Sequence, residues 1–236
     1  MNRVVRIVGL FILVAEVARG QVAQVVLQDD FNDGVRNTAV WKASRFYDGL
    51  FLEQNGRLCF SCPSGIGMAQ WTSKYGYRLL AGDVLVFEAV VNAGSLLSTG
   101  PSNLLEIGLG FRDRFLNPTK SCLVYLARTA TGLSVVAEGQ GVGSNYRSFV
   151  IPRGYARYIL TLLYSTGTGK ISVSYRSVGS SFGVVIGTVP LNKWWGIPIG
   201  EPAPLTPVLA AQAYGLPVGY AAKAFLDGAV VTIIAP

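Results

Sequence analysis

The run ARYILTLLY (156–164), STGTG (165–169) and KISVSYR (170–176) decides the fold class. In its last part Ile171, Val173 and Tyr175 alternate with Lys170, Ser172, Ser174 and Arg176. That period of two turns one strand face inward and the other to water. The first part is an apolar strand, and the glycine-rich link has the composition of a hairpin turn. Working outward, further strands are expected at 84–92, 104–112, 121–128, 133–138, 182–189, 208–214 and 222–234, with shorter ones near 22–27, 40–43, 50–54, 57–60 and 68–72. The proline-rich stretch Thr188–Pro207 reads as a long rigid loop. Outside the first twenty residues no segment keeps a helical apolar stripe for three turns. With 28 Gly and 11 Pro in 236 residues, turns are frequent enough to separate a dozen short strands. The expected fold is all-β, a two-sheet antiparallel β-sandwich or jelly roll, built as one domain over 21–236.

Composition excludes more chemistry than it suggests. Half the residues are hydrophobic and 14% are charged, which is incompatible with a disordered chain. The absence of His removes Ser-His-Asp and Cys-His catalysis and His-based metal sites. Arg3 and Arg6, the apolar run Ile7–Val14 and the small residues around Arg19 read as a signal peptide cleaved before Gln21. The expected location is therefore secreted, periplasmic or cell-surface, with no transmembrane span after cleavage. Removing the leader's three Arg and one Glu leaves +5 of the net +7. A basic exported chain favours acidic glycans or anionic envelope polymers, and its export argues against nucleic acid. Cys59, Cys62 and Cys122 are read as a structural bridge or as buried free thiols.

Several residues stand out as candidate ligand contacts. On the strand 104–112 the face Leu105, Ile107, Leu109 and Phe111 is apolar, and the opposite face is Glu106, Gly108 and Gly110. Glycine within a strand marks close approach of a ligand or of another backbone, so this face reads either as a groove floor or as a packing contact. Trp194 and Trp195 in the proline-rich stretch would be aromatic platforms if exposed, or a plug of the sandwich edge if buried. Trp41 and Trp71 are expected in the core. Bases and aromatics interleave from Tyr146 through Tyr155 and Arg157 to Tyr158, a candidate binding stripe or a solvated face.

Asp29-Asp30-Phe31-Asn32-Asp33-Gly34 followed by Trp41-Lys42 resembles the opening of concanavalin A-like lectin/glucanase jelly rolls. The hairpin Tyr158–Tyr175, and the ending from Ala224 to Val231 as a last strand returning beside the first, resemble the same superfamily. The resemblance implies a two-sheet jelly roll whose concave sheet carries a carbohydrate or envelope polymer. In several branches of the superfamily a structural calcium ties the first strand to the last, and Asp30, Asp33 and Asp227 are the carboxylates available for one here. Asp30 and Asp33 also suit the capping of their own turn, and no cofactor is expected. Laminarinase-type members carry Glu-x-Asp-x-x-Glu on one strand. Here Glu106 matches the first Glu, while Gly108 and Phe111 replace the other two acids. A non-catalytic glycan-binding module is therefore expected. A structural or self-assembling surface protein is the second reading. A glycosidase is the third, requiring a hairpin that brings Glu88 opposite Glu106.

Overall fold

A computed structural model describes residues 21–92, 104–113, 120–129, 132–151, 157–216 and 224–236. Two antiparallel sheets of eight strands each make up the sandwich. The first sheet runs in the order β14 (Val184–Val189), β13 (Lys170–Ser177), β12 (Arg157–Ser165), β7 (Val84–Asn92), β16 (Ala224–Ala235), β4 (Arg57–Ser61) and β3 (Leu50–Gln54). Its eighth strand, β1 (Val22–Asp29), pairs β16 with Val22 opposite Ala235. The last strand thus lies beside the first. The second sheet is β11 (Gly143–Val150), β10 (Gly132–Gly141), β9 (Ser121–Thr129), β8 (Leu104–Asp113), β15 (Ala203–Tyr214), β5 (Gly67–Ser73) and β2 (Trp41–Tyr47), with β6 (Tyr77–Leu79) on β15.

Period-two patterning places the core as expected. Leu85, Phe87, Ala89 and Val91 of β7 face Leu105, Ile107, Leu109 and Phe111 of β8, all buried in one cluster. Phe87 and Phe111 meet across the gap between the sheets at 5.8 Å between ring centroids. Burying such side chains is worth about 2 kcal/mol each, and it is this interlayer contact that holds the sheets together. The hairpin of β12 and β13 pairs Tyr164 with Ile171 and Ser165 with Lys170. Trp41 and Trp71 are both in the core. Asp29 accepts the Trp41 indole N–H at 2.7 Å and the Phe31 amide at 3.0 Å, so the opening motif ties the end of β1 to the Trp that closes the turn. The three cysteines are free and buried.

The stretch from Thr188 to Pro207 differs from the expected loop. It contains the end of β14, a short helix α1 (Leu191–Trp195) and the start of β15. Pro204 sits near the beginning of β15, where only β6 pairs with it, a position that tolerates a missing N–H. Gly196, in the left-handed region at φ 70°, ends the helix. No helix among the described residues is long and apolar enough to cross a membrane. Residues 1–20, expected to be a leader, lie outside them.

Candidate functional site

The outer face of the second sheet is built by strand alternation. With Leu105, Ile107, Leu109 and Phe111 turned inward, Glu106, Gly108, Gly110 and Arg112 turn outward. Their cross-strand partners share that face: Gln212, Ala210, Val208 and Thr206 on β15, and Ala127, Tyr125, Leu123 and Ser121 on β9. Glu138 and Tyr146 continue it on β10 and β11. Lys42, Ser44 and Phe46 on β2 flank Thr72, Gln70 and Met68 on β5 at the other side. Met68 and Tyr146 are five strand spacings apart, about 24 Å on a flat sheet. Both nevertheless line one cavity of about 300 Å³ together with Leu123, Tyr125 and Glu138. The sheet therefore curls, and this face is concave.

At the floor of the concavity, Gln212 Nε2 donates to Glu106 Oε2 and also approaches Glu138 Oε2 at 3.4 Å. Two acceptors on one amide nitrogen lie within about two hydrogen-bond lengths, ~6 Å, of each other. Burial lifts the Glu106 carboxyl from its ordinary 4.5 to about 7, against the Gln212 hydrogen bond, with the Glu138 charge adding to the rise. Burial likewise raises Glu138. Tyr125 stands among them, with its phenol pushed well above 10 by burial and then by the two carboxylates. Among the described residues the buried Tyr125 hydroxyl has no hydrogen-bond partner, nor do Gln70 Oε1, Thr206 Oγ1 and Arg112 Nε on the same face. Each such orphan costs about 1–3 kcal/mol unless something else pairs with it. On the same face three aromatic rings remain open to solvent: Phe46 at 56%, Tyr146 at 64% and Tyr214 at 64% exposure.

The residues singled out from sequence are distributed differently from the expectation. Trp194 and Trp195 are buried, at 5% and 0% exposure, and so cannot offer their faces as platforms. Gly139 and Gly141 of β10 leave space that the pair fills: a Cβ on Gly139 would run into the Trp194 ring. Trp195 Nε1 donates to the Ser121 carbonyl at 3.4 Å, and Lys120 Nζ donates to the Trp195 carbonyl. They plug the sandwich edge. Glu88 and Glu106 form no hairpin pair, because β7 and β8 belong to different sheets. Glu88 lies on the outer face of the first sheet, accepting from the Thr161 hydroxyl at 2.8 Å and facing Arg176 at 3.8 Å. The close approach at Gly108 and Gly110 is by backbone: a Cβ on either would meet the Val124 or Cys122 carbonyl of β9.

Asp30, Asp33 and Asp227 do not converge. Asp30 accepts from the Asn32 amide at 2.6 Å, and Asp33 from the Val35 N–H at 3.0 Å. Asp227 is held between Arg57, at 3.6 Å, and Arg157. No three His, Cys, Asp or Glu side chains among the described residues are grouped to hold a metal. Arg157 is thereby committed to an ion pair on the first sheet. Tyr155 lies outside the described residues.

Sequence reasoning missed Phe46, Tyr214, Gln212 and Glu138. For Tyr214 the signal existed: it shares the parity of Gln212 and is opposite that of Ala211 and Ala213 in the core. For Phe46 no alternation exists, since β2 is exposed from Lys42 to Tyr47.

No protein-family profile and no curated protein matches the chain in sequence. Solved structures do match it in shape. The endo-1,3-β-glucanase of Streptomyces sioyaensis superimposes with a TM-score of 0.62 at 11% identity, over 91% of this chain and 97% of that one. The winged bean acidic lectin, complexed with methyl-α-D-galactose, gives 0.60 at 9% identity over 91% and 100%. A pseudo β-1,3-glucanase of Mycobacterium tuberculosis, also an immunostimulatory antigen, gives 0.58 at 13% over 88% and 98%. At these identities the likeness is one of fold. The chain has the concanavalin A-like jelly-roll fold that these lectins and glucanases share.

Proposed function

We propose that the chain is an exported, non-catalytic module that binds a polysaccharide along the concave face of its second sheet. The observation that carries this reading is the set of buried, unpartnered polar atoms on that face, overlooked by open aromatic rings. Sugar hydroxyls supply partners for the Tyr125 hydroxyl and Gln70 Oε1, while the apolar C–H faces of the sugar rings stack on Phe46, Tyr146 or Tyr214. The lectin and glucanase neighbours agree with a glycan as ligand. Tyr125 and Glu138 line the cavity, while Glu106, which does not, holds the Gln212 amide in place.

The test is affinity electrophoresis of the protein through gels containing laminarin (a β-1,3-glucan), galactan or the acidic polygalacturonate. Retardation by at least one of them, lost in Tyr146→Ala/Tyr214→Ala, supports the reading, and free migration in all three overturns it. A second reading rests on the Glu106–Gln212–Glu138 arrangement. The shared amide keeps one oxygen of each carboxyl within ~6 Å of the other, a range that includes the ~5–5.5 Å of retaining glycosidases, and burial favours the protonated form of both acids. Reducing-sugar release from laminarin that disappears in both Glu106→Gln and Glu138→Gln would replace binding by hydrolysis.

A further inference from the structure

We infer that the concave face contains a separate subsite for an anionic substituent, and hence that its polysaccharide is acidic. The inference rests on the glycan-binding reading and narrows its ligand. A second cavity, of about 330 Å³, opens on the same face beyond the Glu138 cavity. Lys42 from β2, Lys74 just past β5, and Arg112 from β8 line it, with the Thr206 hydroxyl of β15 at its wall. Four different elements thus bring cations and a donor to one hollow. None of the three cations takes an ion pair within the chain among the described residues. The single carboxylate on the wall, Asp113, is already engaged within the chain.

The hollow is built rather than merely basic. Thr206 is 1% exposed, and its hydroxyl has no partner in the chain. Arg112 Nε is also buried and unpartnered. A guanidinium edge and a hydroxyl, both desolvated and both lacking an acceptor, are satisfied together by an oxyanion, which supplies several acceptor lone pairs and the opposite charge. Neutral sugar hydroxyls would pair the Thr206 hydroxyl and leave the excess of positive charge, three cations against the one carboxylate of Asp113, uncompensated. Carboxylate and sulfate share the chemistry that the hollow recognises. The adjoining cavity, with Glu138 and the Tyr146 ring, repels a second anion at that end, so the acidic sugar is placed at the β2–β5–β15 side of the groove.

The test measures binding of the full chain to polygalacturonate, dextran sulfate, laminarin and neutral dextran by calorimetry at fixed ionic strength. Variants are Arg112→Gln, Lys42→Gln/Lys74→Gln and, as a change of charge equal to that of the lysine pair but elsewhere on the surface, Lys170→Gln/Lys193→Gln. Binding of polygalacturonate or dextran sulfate at least tenfold tighter than that of either neutral polymer is expected, and whichever of the two binds tighter names the oxyanion. The Lys42→Gln/Lys74→Gln variant, whose side chains are at the surface, is expected to lose that advantage even if Arg112→Gln folds poorly, while Lys170→Gln/Lys193→Gln retains it. Equal losses in the two double variants would mean diffuse charge attraction and would overturn the subsite. Laminarin bound as tightly as the acidic polymers, and sensitive to Tyr146→Ala, would overturn the subsite while leaving glycan binding intact. No binding of any of the four polymers would overturn both.

Discussion

The two outer faces of this sandwich handle buried charge in opposite ways. On the first sheet, Glu88 has the Thr161 hydroxyl and Arg176, and Asp227 has Arg57 and Arg157. Both of these acids are answered by cations of the chain. On the second sheet Glu106 and Glu138 share one neutral amide, and the Tyr125 phenol on the same face has no hydrogen-bond partner among the described residues. A face whose polar groups are paired internally has nothing left to offer a ligand. A face that leaves them unpaired bears a folding cost that only an outside partner relieves. On the proposed reading, one sheet is scaffold and the other does the recognition.

Substituting one acid on each face tests the contrast most directly, because the effects have opposite signs. Glu106 holds its proton up to about pH 7 in the folded chain and loses it near 4.5 when unfolded. The folded state therefore binds more protons between these values, and stability falls as pH rises through that window. Across it the loss amounts to about 3 kcal/mol. Glu106→Gln is expected to flatten this slope and to be more stable than the parent at pH 8 by up to that amount, as read from urea denaturation at pH 4.5, 6 and 8. A parent whose stability rises over the same range would break the comparison. Glu88→Gln should do the reverse and cost about 1 kcal/mol at pH 7, since it removes the charge facing Arg176 in a partly buried pair. An unchanged midpoint would show that the first sheet's pairs contribute nothing.

The smallest stability effect belongs to the rim. Tyr146→Ala and Tyr214→Ala remove exposed rings, so each should shift stability by less than about 0.5 kcal/mol. Each should nevertheless weaken laminarin binding several-fold, the equivalent of about 1 kcal/mol of stacking. A large fall in melting temperature without a change in affinity would return these rings to the scaffold.

What could be read from the chain alone follows the range over which each signal acts. Period two places Leu105, Ile107, Leu109 and Phe111 in the core without any knowledge of neighbours, and the STGTG turn fixes the pairing of β12 with β13. Alternation also assigns Glu88 and Glu106 to outward faces. It carries no information on which sheet each strand enters, and so the two acids that seemed able to meet lie on opposite sides of the molecule. The tryptophan pair was ambiguous for a related reason. Proline-rich surroundings suggested exposure, whereas burial was decided by Gly139 and Gly141, fifty residues earlier in the chain, which leave the hollow that the indoles fill. Three-dimensional curvature is equally silent in sequence. Nothing local says that Met68 and Tyr146 border one cavity.

The position of β16 has a consequence for how the molecule is made. It follows every other described strand in the chain, yet it sits inside the first sheet, with β7 along one edge and both β4 and β1 along the other. As the chain leaves the ribosome, three strands wait with an unpaired edge until residues 224–235 emerge. The sheet closes only through contacts between positions 133 to 213 residues apart, from Asn92 with Phe225 to Val22 with Ala235. Such long-range closure is slow, and until it occurs the nascent chain presents the open strand edges that other chains pair with.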